Sequence, residues 1–463
     1  MFDTVESKLN DHTDNPLKKK PGSGPRHSEL NIRLASAITS SSLGASGFND
    51  LFCELGINPG SIDCLQRLIN KMGPINEKAA KHSMANAIDE LKLAQGEGEE
   101  IIVAVDAQYS NRQRSRFVQS EPATQAVHTM VSTKSKKIIA QQTVSKLCNA
   151  CSRIQTDACI RGDIDTTNLP ACSNIDCPRN LEPQATISDE AAMLNTSLGE
   201  VQKQGLKIDV VVADGDACTK KLLKAKGIEV NSDVRHKSSN IVKRVKKAKI
   251  DYNGLPGKNK TEKKREFDLF VASVMQRCNA ENKYASLKSK GRGIGKLNSV
   301  KAKLKGVKEA VLACHTGNCG TLCKISSNVC DGYEYPDRPE RKYVKHGPII
   351  KNISEHNKSI IMGMIKERLE ENINVTYRNA GTNIVEAFNR TYVKSCPKVS
   401  AFSKNWKNRH HKSVILINEG TVEGTKLVRD TIGLKKIPAS VIHRQRHNQR
   451  RRQKQRLWNI CLK

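Results

Sequence analysis

The sequence predicts an α/β fold, and three observations carry that expectation. Two runs of β-branched residues, "IIVAVDA" at 101–107 and "IDVVVAD" at 208–214, read as largely buried strands, and each reaches an aspartate. Between them lie further strand-like and helical patterns in the order strand, strand, strand, cysteine-rich loop, helix, strand. A long stretch over 252–376 carries helical periodicity with no strong strand pattern.

Taken in order, residues 1–28 hold Lys18, Lys19 and Lys20 followed by "PGSGP", a basic composition with few apolar groups, which predicts a disordered arm. Over 29–97, "SGFNDLFCELGI", "GSIDCLQRLINKM" and "EKAAKHSMANAIDELKLAQ" place apolar residues three and four apart, with Gly and Ser as punctuation, so helices are expected. "FVQSEPATQAVHTMV" and "KKIIAQQTV" follow "IIVAVDA" as two more strands, with a turn near Thr133–Ser135. "ISDEAAMLNTSLGEVQKQG" reads as a helix capped by Ser188 or Asp189 and stopped by Gly205. The first part of the core is thus placed at 98–251, with a cysteine-rich insertion at 148–177. The α-helical insertion covers 252–376, and the core resumes over 377–425 with "INVTYR" and the helix "TNIVEAFNRTYVK". A basic tail occupies 426–463.

Charge narrows the partner. Lys and Arg number 78 against 47 Asp and Glu, a formal net charge of +31 that favours a polyanion such as nucleic acid. No stretch reaches the roughly 20 apolar residues of a spanning helix, and no apolar signal region is seen, so a soluble intracellular protein is expected. Fifteen cysteines in such a chain point to reduced thiols or metal ligands over disulfides. Aromatic residues make up only 4%, too few for the stacking platforms of single-strand binders, so duplex backbone contact fits better.

Asp106 and Asp214, each reached at the end of a β-branched run, would emerge at one edge if their strands lay side by side. Two close carboxylates repel unless a cation lies between them, and hard oxygen ligands suit Mg²⁺ or Mn²⁺. Two such ions stabilise the attacking and leaving oxygens of a phosphodiester displacement. Asp214-Gly215-Asp216 also reads as a plain strand-ending turn, with Asp216 as a substitute or outer ligand. Glu386 is the candidate third acid; Asn383-x-x-Glu386 equally fits a capping box.

Cys148-x2-Cys151 and Cys172-x4-Cys177 form two short pairs about twenty residues apart, a spacing that suits tetrahedral Zn²⁺, with Cys159 as a replacement ligand. Cys314, His315, Cys319, Cys323 and Cys330 form a second, less regular group, either a further zinc site or a set of half-buried thiols. "VRHKSSNIVKRVKKAK" supplies Lys243, Arg244, Lys246 and Lys247 as candidate DNA contacts or as a solvated helix face. "GRGIGK" at 291–296 lacks P-loop spacing and reads as a flexible basic loop. The tail "RQRHNQRRRQKQR" suits nuclear import or DNA contact, so a nuclear location is expected.

"IIVAVDA", "VVVADGDA", the tetrad Asp233-Val-Arg-His236 and "TNIVEAFNRTYVKSCPK", in that order, resemble the Mutator-like DDE transposases of animal genomes over residues 30–425. The resemblance implies a ribonuclease-H-like mixed-sheet core in which Asp106, Asp214 and Glu386 are the metal-binding triad. It also matches Asp233 and His236 to the family's Cys-or-Asp, two residues, His pattern. Tyr109 stands where the family often has Trp. The implied activity is metal-dependent DNA strand cleavage and 3′-hydroxyl strand transfer on double-stranded DNA, by a homo-oligomer that pairs two element ends. The alternatives are a domesticated, transposase-derived DNA-binding protein without catalysis, and a nuclease without strand transfer.

Overall fold

A computed structural model describes residues 29–57, 61–110, 123–148, 150–151, 177–181, 185–214, 216–330, 348–397, 405–433, 442–443 and 446–447. The arm 1–28, Cys159, Cys172 and about two thirds of the tail 426–463 lie outside the described residues, and the start of that tail is helical. The chain divides into two compact units, Met1–Ile208 with Asn383–Lys463, and Asp209–Thr382.

The first unit opens with α1 (Glu29–Ile38), α2 (Ala45–Glu54) and α3 (Ile62–Gly96). α3 is one 35-residue helix that runs through Pro74, where punctuation was expected. An interior proline costs about 3 kcal/mol. The apolar stripe continues in phase on both sides of it, through Leu68, Met72, Ile75, Ala79 and onward to Ile88 and Leu91, all buried, and that packing outweighs the local cost.

Three strands then form an antiparallel meander: β1 (Ile102–Ser110), β2 (Gln125–Ser132) and β3 (Ile138–Ser145). β2 is the central strand of the three and is buried along its whole length. The turn before β3 uses Lys136 at φ 60°, and a register shift lies at Met130/Val131. α4 (Glu190–Lys203) starts on Asp189, whose carboxylate accepts from Ala192 N at 2.9 Å, and is followed by Gly205 at φ 82°. After the second unit the chain returns as α13 (Asn383–Ser395), α14 (Trp406–Asn418) and α15 (Gly420–Ile432). α14 docks on α3 through a 2.6 Å bond between Asn76 and Asn408.

The second unit begins with β4 (Val210–Ala213), fully buried and parallel to β5 (Glu229–Ser232), with α5 (Ala217–Ala225) between them. β5, "EVNS", carries no apolar run and gives no strand signal in the sequence. Helices follow: α6 (Val234–Lys247), α7 (Lys260–Lys288), α8 (Gly293–Leu304), α9 (Val307–His315), α10 (Thr321–Ser326), α11 (Glu355–Lys366), a π turn at Glu367–Glu371, and α12 (Ile373–Thr376). Their core gathers Phe267, Phe270, Val271, Val274, Val311, Ile361, Ile365 and Tyr377.

Two local expectations are corrected here, and one helical run proves to be two helices. "INVTYR" is no strand but a single helical turn over Ile373–Thr376 followed by a turn, anchored where buried Arg368 donates to Asn279 at 2.8 Å and to Thr376 at 3.2 Å, and Asn282 donates to the Thr376 carbonyl at 3.1 Å. "GRGIGK" opens α8 behind Arg292 as N-cap and is not a loop throughout. "VKAKLKGVKEAVLAC" breaks at Gly306, which sits at φ 75°, and a Cβ there would lie 2.7 Å from Ser326 Oγ. Among the described residues no helix is long and apolar enough to cross a membrane.

Candidate active site

Asp106 lies within β1, opposite Thr129, and the strand continues past it to Ser110, so the acid is not at the strand end as its β-branched run suggested. Alternation puts Asp106, Thr129 and Gln141 on one face of the meander. α13 covers that face. Its buried Tyr392 hydroxyl is 2.8 Å from Gln141 Nε2 and 3.5 Å from Thr129 Oγ1. One turn earlier, Asn389 Nδ2 donates to Asp106 Oδ2 at 2.8 Å. One turn earlier still comes Glu386, in the first turn of α13, and the three-residue spacing sets all three on one side of the helix. Asn383 belongs to the helix itself, which puts Glu386 one place beyond the third position that a capping box uses.

Thus the first unit brings β1 with Asp106 and the helix bearing Glu386 together, although they are remote in sequence. Both acids are half-buried. Tyr109, on the opposite face of β1, donates to Glu190 at 2.6 Å at the start of α4.

Asp214 belongs to the second unit, directly after β4, and is exposed. Its Oδ2 is 3.5 Å from His236 Nδ1. Asp233 explains how His236 is set there. It is fully buried and caps α6, its Oδ1 accepting from Arg235 N at 2.6 Å and His236 N at 2.9 Å, while its Oδ2 accepts from Thr382 N at 2.5 Å and Thr382 Oγ1 at 2.8 Å. Burial alone raises the affinity of this carboxyl for a proton, but the four donors outweigh it and hold its pKa below the ordinary value. With both oxygens filled by the protein, Asp233 serves as a brace for the helix that presents His236. Asp216 caps α5, accepting from Thr219 N at 2.8 Å.

Of the basic candidates on α6, Lys243 and Lys247 are exposed, Lys246 is half-buried, and Arg244 pairs with Glu367.

Two cysteine groups have metal-site dimensions. Cys148, Cys151 and Cys177 lie with their sulfurs within 4.8 Å of one another, and Cys151 and Cys177 are 3.8 Å apart. Cys314, Cys319, Cys323 and Cys330 form a complete set of four within the same limit, with Cys319 and Cys330 at 3.5 Å. Four Zn–S bonds of about 2.3 Å in a tetrahedron put the sulfurs about 3.8 Å apart, so the spacing fits. His315 stands outside this set. Its Nδ1 donates to the Val311 carbonyl at 3.0 Å, which leaves Nε2 to accept from Ser273 Oγ at 3.2 Å, and burial pushes its pKa down to about 4. Burial pushes the Cys319 thiol up to about 12, so a metal that binds here must displace protons.

Buried Arg277 backs the four cysteines, with its guanidinium 3.9 Å from Cys314 Sγ, 2.9 Å from Glu281 and 2.7 Å from Ser327. No sequence pattern singles it out, since it sits in an ordinary helical run.

The Mutator-like transposase family model matches residues 7–330, well over half of the chain. The chain belongs to that family. A comparison with curated proteins gives no match. The match takes in Asp106, Asp214, Asp233, His236 and every cysteine of both groups, and it ends before Glu386. As a member of the Mutator-like transposases, the chain has DNA as its implied partner, which agrees with its net charge of +31.

Proposed function

We propose that this Mutator-like transposase cleaves a DNA strand at an element end and joins the freed 3′ hydroxyl to target DNA, with Asp106, Asp214 and Glu386 as ligands of Mg²⁺ or Mn²⁺ on a ribonuclease-H-like core. The observation that carries the reading is the 2.8 Å bond from Asn389 to Asp106, which ties the helix of Glu386 to the strand of Asp106. The donors are all carboxylate oxygens, the set that hard divalent ions prefer. When bound, such ions lower the pKa of an attacking water or hydroxyl and neutralise the leaving oxygen.

The chain's own groups do the rest. His236 restrains Asp214 from the N-terminus of α6, held there by the Asp233 cap. Lys243 and Lys247 follow His236 along α6 at about 10 and 16 Å, from a rise of about 1.5 Å per residue, and offer cations to successive phosphates. Zn²⁺ in the two cysteine groups braces the cysteine-rich loop of the first unit and the α9–α10 region of the second. A nuclear location and a homo-oligomer that pairs two DNA ends belong to the same proposal.

A strand-transfer assay with Mg²⁺ or Mn²⁺ tests it by comparing the natural chain with Asp214→Asn. Joined product from the former and none from the latter is expected. Equal activity in the two would defeat the assignment of Asp214, and DNA binding without product from either would favour a domesticated DNA-binding protein.

A further inference from the structure

Asn389 has a half-finished set of hydrogen bonds. An ionised carboxylate only accepts, so the group that faces Asp106 Oδ2 at 2.8 Å is the amide N–H of Asn389. That orientation commits the other end of the amide. Asn389 Oδ1 is buried and has no hydrogen-bond partner among the described residues. Gln108 repeats the pattern. It lies two residues along β1 on the face of Asp106, is 3% exposed, and neither Nε2 nor Oε1 has a partner among the described residues.

Buried amides with unmet bonds call for an ion or a water that completes them. Mg²⁺ and Mn²⁺ bound by few carboxylates keep several waters, and those waters need acceptors around the ion. An amide that donates to a ligand carboxylate and points a bare carbonyl oxygen into the same surroundings meets both needs. Its position one helical turn from Glu386 sets the orientation of Asp106 from the same rigid element that carries another candidate ligand.

We propose that Asn389 is a positioning residue for the divalent ion: its Nδ2 fixes the rotation of the Asp106 carboxylate, and its Oδ1 accepts a hydrogen bond from an ion-bound water. This rests on the reading of Asp106 as a metal ligand. It accounts for an asparagine in place of an apolar residue on the sheet-facing side of α13.

The test is Mn²⁺ binding to the full-length chain with zinc supplied, followed by loss of the free-ion electron paramagnetic resonance signal, beside thermal melting without added Mn²⁺. Asn389→Leu is expected to weaken Mn²⁺ binding by about 10- to 100-fold with little change in melting midpoint, and Asp106→Asn to abolish it. If Asn389→Leu binds Mn²⁺ as the natural chain does while Asp106→Asn does not, the role of Asn389 is overturned and the metal reading stands. If Asp106→Asn also binds normally, the metal reading falls and this proposal with it. Should Asn389→Leu fail to fold, Asn389→Ser, too short to reach the carboxylate, is read by the same criteria.

Discussion

At the scale of single residues, Asp233 is the best-determined group of the candidate site. Four donors converge on it, two from the first turn of α6 and two from Thr382. Asp233→Ala removes the cap and leaves the buried Thr382 N–H unpaired, so it is expected to lower unfolding free energy by about 2 kcal/mol in urea titrations. The same change frees the start of α6 and should depress strand transfer through His236. Because its folded pKa is lowered, Asp233 stabilises the protein above its ordinary pKa, and that contribution is lost as pH falls towards the lowered value. The sequence marked Asp233 and His236 as a pair. It gave Asp233 no role of its own, because the pattern does not say what the carboxylate touches. Thr382, 149 residues away, decides it, and only folding brings it there.

At the scale of elements, α14 shows how composition misleads. "WKNRHHK" sets four basic residues in a row, yet Arg409, His410, His411 and Lys412 are all buried. Arg409 donates to the carbonyls of Ser395 at 2.8 Å and Leu43 at 2.6 Å, and His410 packs edge-on against Trp406 and Tyr392 at 4.1 and 5.1 Å between ring centres. Burial pushes the pKa of His410 down to about 3 and that of His128 on β2 to about 4. Below about pH 6.5 the unfolded chain takes up protons that these folded rings refuse, so stability falls with acidity at about 1.4 kcal/mol per pH unit for each ring until its folded pKa is reached. Melting midpoints measured across that window should drop, and His410→Phe should flatten the drop. Strongly periodic or β-branched elements were legible: β1 to β4, α4 and α13 follow from pattern. β5 and α12 were not, since four residues carry too little pattern and tertiary anchors set their conformation.

At the scale of the whole molecule, each unit carries its own cysteine group. Zinc quantification on purified protein should give about two equivalents, and Cys323→Ser should leave about one, with the second unit melting at lower temperature. No zinc in the natural chain would remove both sites. The cysteine spacing was legible from the sequence. The second set was legible as a group too, although its four members come from the end of α9, the loop after it, α10 and the residues beyond and follow no simple repeat; only His315, named with them, stands outside. The excess of positive charge pointed to DNA by simple counting, whereas the bond between Asn389 and Asp106 had no trace in either local pattern.

That bond spans 283 residues, and the whole second unit lies between its ends. A ribosome releases Asp106 early and Asn389 late. During synthesis the strand must therefore wait, its amide partner unmade, while the intervening unit emerges with a core of its own. Loop closure over such a length costs little more than over half of it, because that entropy grows only with the logarithm of length. The delay is one of order rather than of energy: the Asp106 carboxylate cannot acquire its final aim until most of the polypeptide exists.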